Sequence, residues 1–409
     1  MLIIVGLLIF IVVSLILYLS KSAIKKQNQQ NIKKIQTTSL EAQPIKEFVT
    51  QCLDKLSKDA IVLLGKQGGI IYKSQGGTIS DRRPDGYGLL FITYGNYNVA
   101  YDILPPTKGS RRPTAKYTNF ADIPNYPWIT FPYQDSISDE KIYNGYFGEN
   151  VMPKLNSSEG SSHSIQLQIE IFVDNNIINC SNFEFFRKQG LEIITSKPNA
   201  SVVIGGSDIA VKLKFPIKII NPSTKEFTEL SDFSAQINVR LKDFYFFTKN
   251  LIENDINNIT FKINDARNNR DYYKIKLMKD VYKGGTTKAD LITITDEKSL
   301  INGMAFEYTF ARKNRPPALY YIKNADGSEF DREHPITEAD VLNGQSLSSL
   351  KAEDPDEDQI VIRQIFLGDS STGATFPKDY LRFQNLQKFQ VRVSDGKLED
   401  WQEITIRSR

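Results

Sequence analysis

An uninterrupted apolar run at the start of the chain constrains this sequence more than any other feature. The stretch from Leu2 to Leu19 reads LIIVGLLIFIVVSLILYL and contains no charged residue. As a helix it would rise about 27 Å, close to the ~30 Å hydrocarbon thickness of a bilayer. A helix also satisfies its own backbone hydrogen bonds, as lipid requires. We therefore predict a transmembrane helix at residues 1–20, in preference to a cleaved signal, because no Ala-x-Ala site follows.

The orientation of this predicted helix stays open. The lysines at 21, 25, 26, 33 and 34 follow it, and the positive-inside tendency would keep that side cytoplasmic. The downstream chain favours the opposite orientation, with a single-pass anchor in the plasma membrane and the bulk of the chain extracellular. The run also resembles the apolar helix of type IV pilin-like precursors, which follows a short basic leader. A filament subunit, packed against copies of itself, is therefore the alternative.

Residues 44–312 show the mixed patterns of an α+β domain, after a polar stalk at 21–43. Apolar residues recur every three or four positions from Ile45 to Leu64, which predicts a helix that ends near Gly65. Further helices are expected at 164–182 and 243–255, with alternating strand patterns between and after them. Lys plus Arg is 51 and Asp plus Glu 48, a balance that gives no sign of a nucleic-acid partner.

An aromatic, proline-rich stretch interrupts this domain between about 80 and 160. One interpretation is a hydrophobic seam covered by its own aromatic side chains; the other is a binding surface for sugars or an extended peptide. The residues concerned are Tyr126, Trp128, Phe131 and Tyr133.

The last quarter of the chain, 313–409, has the short strands and frequent turns of a β-sandwich. The charged, proline-containing segment Arg312–Ala318 precedes it and is expected to be extended and outside either core. The strings NRPPALYYI, AEDPDEDQIV and VRVSDGKLEDWQEITI resemble parts of cadherin-like and Ig-like modules. The resemblance implies a structural or adhesive spacer on the outside of a cell.

The acidic loop of this module suggests a cation site. Calcium takes about six to eight oxygen ligands, and acids at alternate positions of a turn could supply several. A solvated acidic turn, with its repulsion screened by water, is the other interpretation. The candidate calcium ligands are Asp354, Asp356, Asp358 and Asp395.

The chain contains two cysteines, Cys52 and Cys180, each on the apolar face of a predicted helix. If the two helices pack side by side, the Cα atoms could reach the roughly 5.5–6 Å that a disulfide needs. Two buried free thiols are the alternative. We favour the disulfide, which would imply an oxidising exterior.

The sequence shows few of the motifs that indicate catalysis or cofactor binding. A cysteine nucleophile would need a histidine or cationic partner, and the chain has two histidines. No phosphate-binding loop, dinucleotide fingerprint, zinc spacing or serine-hydrolase elbow occurs, so we expect no enzyme; an envelope hydrolase is a distant alternative. Asn-x-Ser/Thr triplets, which permit glycosylation outside the cytoplasm, start at Asn156, Asn179, Asn199 and Asn258.

A second resemblance covers most of the chain. PIKEFVTQCLDKL, LLGKQGGIIY, YPWITFPY and ITDEKSLINGMAFEYTFARKNRPPAL are similar to segments of single-span envelope proteins of DPANN-type archaea. This resemblance implies an archaeal envelope location and the pairing of the two cysteine-bearing helices. Together these features predict a membrane-anchored cell-surface structural or adhesion protein. Its partners would be the lipid bilayer and other envelope or neighbouring-cell surface proteins.

Overall fold

The computed structural model describes residues 42–80, 91–105, 147–156, 163–223, 225, 227–284, 287–319, 336–337, 352–366 and 387–407. The predicted membrane helix at 1–20 and the stalk up to residue 41 lie outside these ranges. Within them, no helix is both long and apolar enough to cross a membrane.

The described elements confirm a mixed α+β chain. The helices are α1 (Gln43–Lys66), α2 (Ile165–Cys180), α3 (Glu184–Lys188) and α4 (Leu241–Asn257), with 3-10 turns at Lys73–Gln75 and Ala266–Asn268. The strands are β1 (Phe91–Tyr94), β2 (Tyr97–Leu104), β3 (Glu149–Asn150), β4 (Glu192–Thr195), β5 (Asn199–Ile204), β6 (Ile209–Ile220), β7 (Phe227–Ile237), β8 (Tyr273–Gly284), β9 (Thr287–Ile301), β10 (Met304–Lys313), β11 (Ala318–Leu319), β12 (Ile336–Thr337), β13 (Ala352–Glu353), β14 (Val361–Phe366), β15 (Gln387–Ser394) and β16 (Glu399–Arg407).

The chain divides into two compact units. The described part of the first unit comprises 42–53 and 177–200, together with residues of 212–234. The second unit takes its described residues from 54–176, 201–211 and 235–407.

A six-stranded sheet forms the centre of the second unit. Its order is β1-β2-β10-β9-β8, with β3 paired to β2, and β2 and β10 are parallel while the other pairs are antiparallel. Helix α4 packs on this sheet through Phe244, whose ring centroid lies 5.2 Å from that of Phe306 and 5.4 Å from that of Tyr273. Residues 308–312 of β10 are all buried, so both faces of the strand are covered at this end.

The first unit contains the antiparallel pairing of β4 with β6, part of a four-stranded sheet with the order β4-β6-β5 and with β7 paired to β6. Side chains alternate between the two faces, so Ile193 and Ile219 are buried while Ile194 is 51% exposed. Phe48 of α1 packs against Phe183 and Phe186, with ring centroids 6.2 and 5.7 Å away.

The described residues after β10 form strands and loops. β11 pairs with β13, and β12-β16-β15-β14 form a four-stranded sheet. The expectation that Arg312–Ala318 lies outside the core is wrong. Arg312 and Arg315 are 1% and 0% exposed, and Ala318 is 0% exposed. The arginines can be buried because each one meets carboxylates in the interior.

Candidate functional site

Two arginines and three aspartates meet in the interior of the second unit, and we call these five residues the Arg–Asp cluster. Arg312 lies near the end of β10, and Arg315 follows it in the extended segment. Asp255 comes from the last turn of α4, Asp290 from β9, and Asp356 from the turn after β13. The exposed fraction of each of the three aspartates is 7% or less.

Arg312 contacts all three carboxylates. Its Nη1 donates to Asp255 Oδ1 at 3.0 Å, and its Nη2 donates to Asp290 Oδ2 at 2.8 Å. Its Nε lies 3.1 Å from Asp356 Oδ1. The planar guanidinium therefore joins a helix, a strand and a turn through one side chain.

Arg315 holds Asp356 from two directions. Its backbone N–H donates to Asp356 Oδ2 at 2.6 Å and its Nε donates to Asp356 Oδ1 at 2.9 Å. Its Nη2 donates to the carbonyl oxygen of Pro355 at 2.7 Å and lies 2.9 Å from Asp255 Oδ2. A lysine could not reproduce this set, because its ammonium is a single point charge.

Burial and pairing act in opposite directions on the ionisation of the cluster. Burial raises the pKa of Asp255 and Asp290 and outweighs the attraction of their arginines. Burial would also raise the pKa of Asp356, but Arg315 and Arg312 outweigh it and the pKa is lowered. Burial by itself lowers the pKa of both arginines, yet the surrounding carboxylates leave it raised. Asp356 is therefore the carboxylate held most firmly in its charged form.

The acidic turn 354–358 is closed by its own first residue. Asp354 Oδ1 accepts from the backbone N–H of Asp356 at 2.8 Å and of Asp358 at 3.1 Å. Its Oδ2 is buried and has no hydrogen-bond partner among the described residues. Burial, followed by the charge of Asp356, raises the pKa of Asp354 to about 7. The Asp358 carboxylate lies 3.3 Å from Lys279 Nζ and 3.2 Å from Lys288 Nζ.

A second turn is attached beside the cluster by Asn314. Its Nδ2 donates to Asp395 Oδ2 at 2.6 Å, and its backbone N–H donates to the carbonyl oxygen of Lys288 at 3.1 Å. Asp395 Oδ1 accepts from the backbone N–H groups of Lys397 and Leu398. Residues 314 and 315 therefore bind the two acidic turns that the sequence suggested as parts of one ion site.

The predicted calcium ligands have other partners in this geometry. Asp356 is paired with two arginines, Asp358 with two lysines, and Asp395 with an amide and two backbone donors. In the part of the chain that the structure describes, no group of three or more His, Cys, Asp or Glu side chains is placed to hold a metal ion. The turn is not solvated either, because Asp354 and Asp356 are 6% and 2% exposed. Arginine and lysine side chains pair with Asp356 and Asp358, whereas Asp354 Oδ2 has no hydrogen-bond partner among the described residues. Calcium binding at these acids stays a prediction.

The arrangement is suited to holding chain segments together. Its charged groups are buried, so a solute would have to open the fold to reach them. The cluster connects α4, the β9–β10 strand pair and the turn after β13, three parts of the chain that are separated in sequence. Breaking one partner of such a buried pair leaves an uncompensated charge, which costs about 3–5 kcal/mol.

The predicted disulfide is confirmed within the first unit. Cys52 of α1 and Cys180 at the end of α2 are bonded, with Cα atoms 5.8 Å apart across a separation of 128 residues. The sulfur atoms meet because both cysteines lie on the helix faces that the apolar pattern indicated.

The four glycosylation triplets lie in different surroundings. Asn179 and Asn199 are exposed, and Asn156 and Asn258 are half-buried. Asn258 Oδ1 accepts from the backbone N–H of Thr260 at 3.0 Å and lies 2.9 Å from its Oγ1, so this triplet already forms a closed local turn. Glycosylation at these positions stays a prediction.

The predicted aromatic surface lies outside the described residues. This applies to all four of its members, Tyr126, Trp128, Phe131 and Tyr133.

A second buried acid, which the sequence did not suggest, lies in the same unit. Tyr308 Oη donates to Asp102 Oδ2 at 2.8 Å, and Asp102 is 0% exposed. Burial raises the pKa of Asp102, although the hydrogen bond from Tyr308 opposes this shift. Burial, followed by the charge of Asp102, raises the pKa of Tyr308. A Cβ at Gly69, which has a φ of +78°, would lie 3.0 Å from Tyr308 Oη. The pair is therefore a tightly enclosed hydrogen bond.

Sequence reasoning found part of the site and missed the rest. It identified the acids of both turns but assigned them to calcium, and it read Arg312 and Arg315 as boundary charges. Asp255 was predicted as the end of a helix, without a role. Arg315 precedes two prolines, a pattern typical of an exposed connection, so no local signal indicated that the two arginines are buried.

Comparisons with known proteins do not extend this description. No protein-family model, no curated protein and no solved structure matches the chain.

Proposed function

We propose that this chain is a membrane-anchored structural or adhesion protein of the cell surface. Residues 2–19 would form a single-pass anchor, with the bulk of the chain extracellular. The observation that carries the proposal is the Cys52–Cys180 disulfide. Structural disulfides persist in oxidising environments and are rare in reducing ones, so the bond favours a location outside the cytoplasm.

The position of the disulfide adds to this argument. Cys52 lies in α1, the first described helix, and the predicted anchor precedes that helix in the chain. A cross-link closing a loop of 128 residues removes about 5 kcal/mol of chain entropy from the unfolded state. Reinforcement of this kind suits a body exposed outside the cell.

The Arg–Asp cluster supports a role for this protein in resisting mechanical force. Arg312 and Arg315 bind the turn that contains Asp356 to α4 and the central sheet through buried ion pairs. In our proposal residues 313–409 form an Ig-like or cadherin-like β-sandwich that reaches towards envelope proteins or neighbouring cells. The cluster would resist separation of this module from the sheet.

Surface exposure on intact cells is the direct test. Cells producing the full chain are treated with a membrane-impermeant lysine reagent, and labelled peptides are mapped without reduction. We expect labels within 44–409, a Cys52–Cys180 peptide pair, and retention in the carbonate-washed membrane fraction. A cytoplasmic protein of the same cells controls for leakage. Free thiols together with label only after lysis would refute the proposal.

The same cells can separate an anchor from a filament. An anchored monomer is released by detergent and stays with cells on shearing, whereas a pilin-like subunit appears in sheared filaments visible by electron microscopy. A filament containing this chain would replace the anchored form of the proposal with the pilin-like alternative.

A further inference from the structure

The first unit carries an aromatic cluster with one exposed member. Phe48 of α1 contacts Phe183 and Phe186, and Phe186 contacts Phe185 at 5.5 Å between ring centroids. Phe183 is buried, whereas Phe185 is 65% exposed. Ile178, seven residues earlier in the same chain segment, is 51% exposed.

Basic side chains accompany the exposed phenylalanine. Helix α3 has the sequence EFFRK, and both Arg187 and Lys188 are exposed. Arg187 donates from Nη2 to the carbonyl oxygen of Ile193 at 3.3 Å, which holds its side chain in place. Aromatic and basic residues side by side are typical of segments that contact the headgroup layer of a membrane.

The cluster lies at the end of the unit where the chain enters from the predicted anchor. Helix α1 begins at Gln43, so Phe48 lies about 8 Å along the helix axis from its start. Residues 20–42 connect this helix to the predicted membrane span, and even fully extended they reach at most about 80 Å. The anchor would therefore hold the exposed phenylalanine within reach of the bilayer, which raises its effective concentration there.

We propose that Phe185 inserts into the headgroup–acyl boundary of the bilayer that holds the anchor, with Lys188 facing anionic headgroups. The inference rests on the proposed membrane anchoring. A second copy of this chain fits the surface less well, because it would bring the same two cations of α3 and the same stalk lysines together.

Tryptophan fluorescence of the full chain tests the contact. Phe185→Trp and the control Phe246→Trp, at a second-unit position that is 53% exposed, are reconstituted into vesicles of phosphatidylcholine and phosphatidylglycerol. The wild type supplies the background of Trp128 and Trp401. Insertion to about 5–10 Å should shift the emission of Trp at position 185 to shorter wavelength and increase its quenching by brominated acyl chains about twofold over the control. Lys188→Glu should reduce that quenching.

Flotation of the vesicles separates this inference from the proposed function. Chains that float, but in which both tryptophan variants are quenched equally, would refute the lipid contact and leave the anchor intact. Chains that do not float would refute the anchor and the contact together. A blue shift that grows with protein concentration, without quenching by brominated lipid, would assign the surface to contact between copies and overturn the inference.

Discussion

At the scale of single residues, Arg315 is a position at which substitution should strongly destabilise the fold. The side chain is fully buried and contacts both Asp255 and Asp356. We expect Arg315→Met to lower the free energy of unfolding by about 3–5 kcal/mol, because two buried carboxylates would share one remaining arginine. Denaturant unfolding of the detergent-solubilised full chain measures this loss.

Arg267→Met is the matched control for that substitution. Arg267 pairs with Asp265, but its side chain is 89% exposed, so water screens the pair and we expect a much smaller loss. Equal effects of the two substitutions would contradict the conclusion that Arg315 stabilises the fold through buried ion pairs.

The raised pKa of Asp354 predicts the direction in which the free energy of unfolding changes with pH. Its pKa of about 7 in the folded chain lies above the ordinary value, so the folded state holds a proton that the unfolded state releases. This stabilisation is complete below about pH 4 and is lost as pH rises to about 7. Asp354→Asn keeps an acceptor for the turn and cannot ionise. We expect its free energy of unfolding, relative to wild type, to rise between pH 4 and 8.

Asp265→Asn provides the opposite sign when the titration is extended down to pH 2. Hydrogen bonds from Arg267 lower the pKa of Asp265 to about 2, so its contribution is present at neutral pH and disappears as pH falls towards 2. A wild-type profile that runs parallel to that of Asp354→Asn from pH 4 to 8 would contradict the raised pKa.

The residues of the site were only partly accessible from sequence. Alternating acids at 354–358 marked a turn with unusual charge, and that much was correct. Nothing local to Asp255 or Asp290 indicates that they converge on Arg312, because the convergence depends on how α4 and β9 pack. Charged residues beside prolines usually lie in solvent, so burial of Arg315 needed the tertiary structure.

At the scale of elements, hydrophobic periodicity predicted the helices well. The helix expected from Pro44 to Gly65 is found at Gln43–Lys66, and that expected at 243–255 is found at Leu241–Asn257. Strand limits were less accurate. The apolar alternation at 209–215 and at 217–221 would suit two strands separated by Pro216. The structure has one continuous strand there, β6, in which the Pro216 carbonyl accepts from the backbone N–H of Ser196. The apolar residues 70–72, which lie between two glycine pairs, would also suit a strand, but they form only a single bridge at Tyr72 because a 3-10 turn follows.

At Gly65, near the end of α1, we expect alanine to be less favourable than glycine, contrary to the general rule for helices. Glycine within a helix is usually worse than alanine by about 0.5–1 kcal/mol. Here a Cβ would overlap the carbonyl oxygen of Glu307 and lie 2.9 Å from a ring carbon of Phe306. We therefore expect Gly65→Ala to lower the midpoint of thermal unfolding. A raised midpoint would show that α1 and β10 are not in such close contact.

At the scale of the whole molecule, the predicted boundary at 312/313 divides an ion-pair cluster. A fragment 313–409 would keep Arg315 and Asp356 but lose Arg312, Asp255 and Asp290. Asp358 would lose both of its lysine partners as well. The C-terminal strands should therefore depend on the central sheet for stability, even if they form a module of their own.

Hydrogen exchange of the full chain can measure this dependence. Because Asp356 connects the turn after β13 to both Arg312 and Arg315, Asp356→Asn should raise exchange at β13 and β14 and also at β9 and β10. Glu357→Gln is the control, since Glu357 is exposed and its carboxylate pairs with the exposed Lys262. If exchange rises only after residue 352, the two parts open independently and the cluster does not couple them. If both parts open together, a force applied to the C-terminal strands would be transmitted to the central sheet. This transmission is the mechanical property that a surface spacer requires.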